Sequence, residues 1–219
     1  MATDAKSERP LRADAERNRQ RILDAAVELF AERGLQVGLD EVAERAGVGV
    51  GTVYRRFPDR EALIDALFQA RVEEFIGIAE EAAADPDAWA GLTRFIERGT
   101  EFHGRNRALK ELMFSAPGGR DWVDRVRARI RPIVGRMVKA AQAQGRLRPD
   151  LHTLDVPMMT LMLASVMEFT AGLGTESWRR LLGIVVDGLE SSRESHTVLP
   201  EKPISQAALA EAMLRSGRR

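Results

Sequence analysis

Apolar residues recur along this chain at the three-to-four-residue spacing of an α-helix, and nowhere do they alternate in steps of two between hairpin turns. The first stripe carries Ile22, Leu23, Ala26, Val27, Leu29 and Phe30 between Asn18 and Ala31, and Arg33-Gly34 supplies its stop. "LDEVAERA" at 39–46 reads as a short second helix. Val42 and Ala43 point inward there, acidic residues fill the first turn where the helix dipole favours them, and Gly47 ends it. Residues 50–57 make a third short helix closed by Pro58, and Asp59 caps a long one from Arg60 to about Ala84. Further helices fit 87–103, 106–115, 121–144, 153–171 and 175–191, with a break at "APGG" and a linker "RLRPDLHT". The expected fold class is all-α.

Composition removes several functions. The chain has no cysteine, which excludes disulfides and thiolate metal sites. Histidines 103, 152 and 196 share no ligand spacing, so neither a metal nor another cofactor is expected. The first twenty residues lack the apolar core of a secretory signal. The most apolar stretch, Leu154 to Phe169, contains Glu168 and falls short of the roughly 20 residues a bilayer requires. A cytoplasmic protein with no membrane partner is the expectation. Net charge is zero, and residues 1–60 hold 11 basic and 11 acidic side chains. Arginine outnumbers lysine 29 to 4, so its abundance says little and only its placement counts.

One stretch, "AGVGVGTVYRRFPDR" at 46–60, invites two opposite readings. Gly47, Gly49 and Gly51 suggest a loop that cradles phosphate. Such loops follow a strand, with G-x-G-x-x-G or G-x-x-x-x-G-K-[ST] spacing. Here Tyr54 stands where the third glycine is needed, no lysine follows, and an amphipathic helix precedes. The alternative is a helix-turn-helix: two helices of about eight residues joined around Gly47, with Val42, Ala43, Val48 and Val53 as their small core. Thr52, Tyr54, Arg55 and Arg56 then lie on or near the exposed side of the second helix. An outward helix of this kind enters the major groove, where arginine pairs with guanine edges. Thr52 and Tyr54 suit phosphate oxygens, and Arg60 at the next helix start can reach a backbone phosphate. Arg9, Arg12, Arg17, Arg19 and Arg21 could add backbone contacts or form a solvated arm.

"LDEVAERAGVGVGTVYRRFPDREALIDALF", following the helix "RILDAAVELFAERG", strongly resembles the DNA-binding domain of TetR-family transcriptional repressors over about residues 17–68. The rest of the chain resembles the family only in its all-helical architecture. The resemblance implies a homodimer whose paired recognition helices read a palindromic operator in double-stranded DNA. By position, the family's base-reading and phosphate-contacting places fall on Val50, Gly51, Thr52, Tyr54, Arg55, Arg56 and Arg60. There are departures. Gly38 stands where a Ser or Thr usually caps the second helix, and Val50 and Gly51 replace side chains that can hydrogen-bond. Arg60 replaces a usual lysine and keeps its charge.

A DNA reader of about 60 residues does not need some 150 more to stay folded, so the remainder must dimerise, sense or do both. "VPMMTLMLASVMEF" is apolar on nearly every face, and "WRRLLGIVVDGL" presents a wide apolar stripe. Two copies of this pair would cover one another as a four-helix bundle. Ala164, Met167, Trp178, Leu181, Leu182, Val185 and Leu189 are the expected dimer contacts. Phe102, His103, Met113, Phe114, Trp122, Met137, Met159 and Met162 are candidates to line a pocket for a small-molecule effector, since methionine and aromatic side chains adapt to apolar ligands. The same residues would fill a plain core equally well.

Enzymatic chemistry has no support: there is no Ser-His-acid arrangement, and Glu80-Glu81 lies in a solvated charged run. A DNA-binding partner of another protein, sensing no small molecule, remains an alternative and requires a filled core. The expected organisation is a flexible N-terminal arm at 1–16, a three-helix helix-turn-helix DNA-binding domain at 17–62, a helical ligand-binding and dimerisation domain at 63–192, and a C-terminal tail at 193–219.

Overall fold

A computed structural model of the protein describes residues 8–106, 119–171, 173 and 176–191, with 199, 204, 205, 207 and 208 beyond them. For 8–13, 31, 35 and 119–123 it describes the backbone alone. The expected helix at 106–115 lies outside the described residues except for Asn106, and so does nearly all of the tail. Among the described residues there are eight α-helices. They are α1 (Glu8–Arg33), α2 (Leu39–Ala46), α3 (Val50–Arg56), α4 (Arg60–Ala83), α5 (Ala88–Arg105), α6 (Gly119–Ala143), α7 (Asp155–Phe169) and α8 (Ser177–Leu189), with a single 3-10 turn at Gly34–Gln36 after α1. Extended pairing among those residues is confined to an isolated bridge between Leu147 and Glu190. The chain divides into two compact units, Met1–Arg71 and Val72–Arg219, with the division inside α4.

In the first unit α1 begins at Glu8, so most of the expected flexible arm is helical. Pairs one turn apart, Asp14 with Arg17 and Glu16 with Arg19, support this extension. Ile22, Leu23, Ala26, Leu29 and Phe30 of α1 are buried, as are Val42 and Ala43 of α2, Val53 of α3, and Leu63, Leu67 and Phe68 of α4. Burying each large side chain contributes about 1.5–3 kcal/mol.

The second unit has its own core. Ile76, Ala79, Leu92, Phe95, Ile96, Val134, Met137, Val138, Val156 and Leu163 meet there, with α5 packed against α6, α7 and α8. Asp87 caps α5 by accepting from the amides of Trp89 and Ala90 at 3.0 and 3.2 Å. Beyond α6 the expected linker is anchored at Arg148. This buried guanidinium makes two bonds to Asp150, at 2.6 and 2.8 Å, and donates to the Gly188 carbonyl at 3.3 Å.

Candidate nucleic-acid interface

The turn between α2 and α3 is built around Gly47, whose φ of 62° and ψ of 40° place it in the left-handed region. The Gly47 and Val48 amides donate back to Glu44 and Ala43, closing α2. A Cβ at position 47 would also lie 2.9 Å from Nη2 of Arg21. That Arg21 nitrogen donates to the Gly47 carbonyl at 3.2 Å and ties α1 to the turn. Gly38 caps α2 without a side chain, and its amide donates instead to Oε1 of Glu41 at 3.2 Å. The start of α2 is thus secured from within the helix. Asp59 accepts from the Ala62 amide at 2.7 Å and opens α4 at Arg60.

α3 turns one side inward through Val53, which is fully buried, while Phe57 just beyond its end is also buried. The opposite side is open. Val50, Gly51, Tyr54, Arg55 and Arg56 are exposed, and Thr52 and Arg60 are half-buried. All seven sequence-nominated positions therefore reach the surface, on α3 or at the first residue of α4. Arg55 donates to the Thr52 hydroxyl at 3.3 Å, which holds both side chains on one flank. Arg60 lies 3.4 Å from Glu61. Sequence reasoning missed Glu16: its carboxylate is 3.8 Å from Arg56 and 3.5 Å from Arg19. Nothing in the sequence shows that α1 passes this end of α3.

The nominated pocket residues separate. Phe102 stacks on Phe75 at 4.8 Å between ring centroids, and His103 lies 5.2 Å from the same ring. All three are half-buried. Met137 is buried in the packed core and Met159 is half-buried against it. Met162 does not line an interior: it is 49% exposed on the outer face of α7. Met113 and Phe114 lie outside the described residues, as does the side chain of Trp122.

The nominated dimer contacts also separate. Ala164, Trp178 and Leu189 are buried by their own chain. Met167 turns toward Gly104 of α5, where an added Cβ would lie 2.5 Å from its sulfur. Leu182 and Val185 are half-buried against the core, which leaves Leu181 facing outward. The outward apolar residues are instead Met158, Met162 and Phe169 of α7, Leu173 after it, and Leu181 and Ile184 of α8. Phe169 is 88% exposed. Positions 158, 162, 165 and 169 form one helical stripe. α7 is apolar all round, so its composition carried no phase from which to choose this face.

Among the described residues no helix is long and apolar enough to cross a membrane, and no three acidic or histidine side chains gather as a metal site would require.

Comparison with known proteins agrees with this geometry. Residues 22–67 match the family described as bacterial regulatory proteins, tetR family, and residues 85–191 match the C-terminal domain of SbtR-like transcriptional regulators. An HTH-type transcriptional regulator of Staphylococcus aureus is 39% identical over 67 residues, which are 30% of this chain and 36% of that protein. The chain thus spans about a third of the curated relatives it matches. A TetR transcription regulatory protein from Mycobacterium vanbaalenii is 30% identical with a TM-score of 0.64, over 83% of this chain and 99% of that one. A TetR transcriptional regulator from Streptomyces coelicolor is 28% identical with a TM-score of 0.61, over 80% and 99%. FadR of Bacillus subtilis, crystallised with stearoyl-CoA, shares the fold at 21% identity and a TM-score of 0.60, over 80% and 99%. With an outward helix of the right length behind a Gly47 turn, and a solved relative matched over nearly its whole length, the chain belongs to the TetR family of bacterial transcriptional regulators.

Proposed function

We propose that this regulator is a homodimeric repressor that occupies a palindromic operator and is released by a small apolar or amphipathic ligand. The observation that carries the DNA half is the division of α3: Val53 buried, with Tyr54, Arg55 and Arg56 turned out beside it. Arg55 and Arg56 read base edges, Val50 meets a thymine methyl, and Thr52, Tyr54 and Arg60 hold phosphates. The outward stripe of Met158, Met162, Phe169, Leu181 and Ile184 supports a second copy as the partner. The half-buried Phe75, Phe102 and His103 group supports an apolar ligand in the second unit. A like fold accommodates an acyl-CoA in the Bacillus subtilis protein. α4 contributes residues to both units and is the route between ligand and DNA.

Selection of bound fragments from a random-sequence duplex pool tests this reading. The expected product is an inverted repeat with half-sites separated by about one helical turn or a multiple of it. Recovery of no common sequence would contradict it. A ligand that releases this operator must bind less tightly, by the same factor, to the DNA-bound protein.

A further inference from the structure

Glu16 stands between two arginines that belong to different helices. Its Oε2 lies 3.8 Å from Nη2 of Arg56 on α3, and its Oε1 lies 3.5 Å from Nη1 of Arg19 on α1. The carboxylate is 65% exposed and Arg56 46% exposed, so the group is open to any polyanion that approaches α3. Acid on a surface meant for phosphate is costly, because each carboxylate repels the backbone it faces. Its position suggests what it does.

At 3.8 Å the Arg56–Glu16 contact is an ion pair and too long for a hydrogen bond. The carboxylate steers the guanidinium by charge without consuming its five N–H donors. The two kinds of DNA contact then differ. A phosphate must compete with Glu16 for Arg56 and exchanges one anion for another, with little gain. A guanine edge is neutral, takes the donors that face away, and leaves the pair intact.

We propose that Glu16 is a specificity-determining positioning residue, which holds Arg56 for base contact and weakens its use as a phosphate clamp. The proposal rests on the reading of α3 as the DNA-contacting helix. By lowering the charge that random duplex can neutralise, Glu16 widens the gap between operator and bulk DNA.

The experiment measures affinity of the full-length protein for random-sequence duplex and for the operator recovered by selection, across a salt series. Glu16→Gln is expected to tighten binding to random duplex by about two- to fivefold, the range of an exposed ion pair. It should also steepen the salt dependence of that binding by about one unit of slope. Operator affinity should rise less, so the specificity ratio falls, and Glu16→Asp should restore it. The thermal midpoint should stay in place, which separates positioning from folding. In an Arg56→Ala background, Glu16→Gln should no longer move the ratio. An unchanged ratio in Glu16→Gln, while Arg56→Ala still weakens operator binding, would overturn the proposal and leave the DNA reading intact. If Arg56→Ala changed binding to neither DNA, the underlying reading would fail and the proposal with it.

Discussion

Arg45 grips Glu32 with both terminal nitrogens, Nη1 to Oε1 at 3.1 Å and Nη2 to Oε2 at 2.9 Å, and so joins the last turn of α2 to the end of α1. The same guanidinium reaches Glu28 at 3.2 Å. These bonds hold the two helices that carry the turn before α3, so the recognition helix inherits its position from them.

The pair makes stability depend on pH in one direction. The hydrogen bond from Arg45 holds the Glu32 carboxyl below its ordinary value of 4.5. A depressed folded value means the contribution is complete above the unfolded value and is lost as pH falls through the folded one. Glu32→Gln should therefore melt below the unaltered protein at neutral pH, and the two curves should draw together as pH falls below the ordinary carboxylate range. Thermal unfolding followed by helical circular dichroism checks this, and a gap that persists in acid would contradict it.

Gly51 is exposed inside α3, and a Cβ added there would touch nothing within 4 Å. The fold does not require a glycine at this point, and its place in a helix costs about 0.5–1 kcal/mol relative to alanine. Gly51→Ala should raise the unfolding free energy by up to about that amount. If the bare backbone serves close approach to DNA, the same change should weaken operator binding. Gain in one assay with loss in the other is the expected signature.

Gly91 is demanded by packing. A Cβ there would lie 2.3 Å from the Ala82 carbonyl oxygen and 3.2 Å from Cβ of Asp85, where the end of α4 meets the start of α5. Because the obstacle is backbone, it cannot swing aside. Gly91→Ala should destabilise the protein by about 1–3 kcal/mol, measured by urea unfolding.

In the proposed dimer, the outward faces of α7 and α8 form the contact between copies. Ile184→Glu or Met162→Glu should shift the protein to monomer in sedimentation experiments and leave its helix content unchanged, since both side chains are exposed within one chain. Leu163→Ala, one residue along α7 but fully buried, should instead cost about 2–5 kcal/mol of stability.

The first unit was almost wholly legible in the sequence. Gly47 as a stop, Asp59 as a cap and the buried spacing of Val42, Ala43 and Val53 each follow from local chemistry that tertiary contacts merely confirm. The start of α1 is not marked in the sequence, because residues 8–17 carry little apolar periodicity. In the second unit the helices were legible but their phases were not. Trp178 and Leu181 share one apolar stripe, yet one is buried by its own chain and the other faces out. Met162 and Met159 differ by three residues on a helix without a polar face, so hydrophobicity alone could not say which turned inward. The Glu16–Arg56 pair leaves no local signal in the sequence, because its members lie forty positions apart.

The proposed division of labour between α3 and the start of α4 is tested most directly by measuring Arg55→Ala, Arg56→Ala and Arg60→Ala against the selected operator with each base pair permuted in turn. Loss of Arg55 or Arg56 should cost about 1–3 kcal/mol and relax preference at one base position each. Loss of Arg60 should weaken every sequence alike and flatten the salt dependence by about one unit. If all three variants lost affinity uniformly, with no base position relaxed, α3 would be a phosphate clamp and not the reader of the operator.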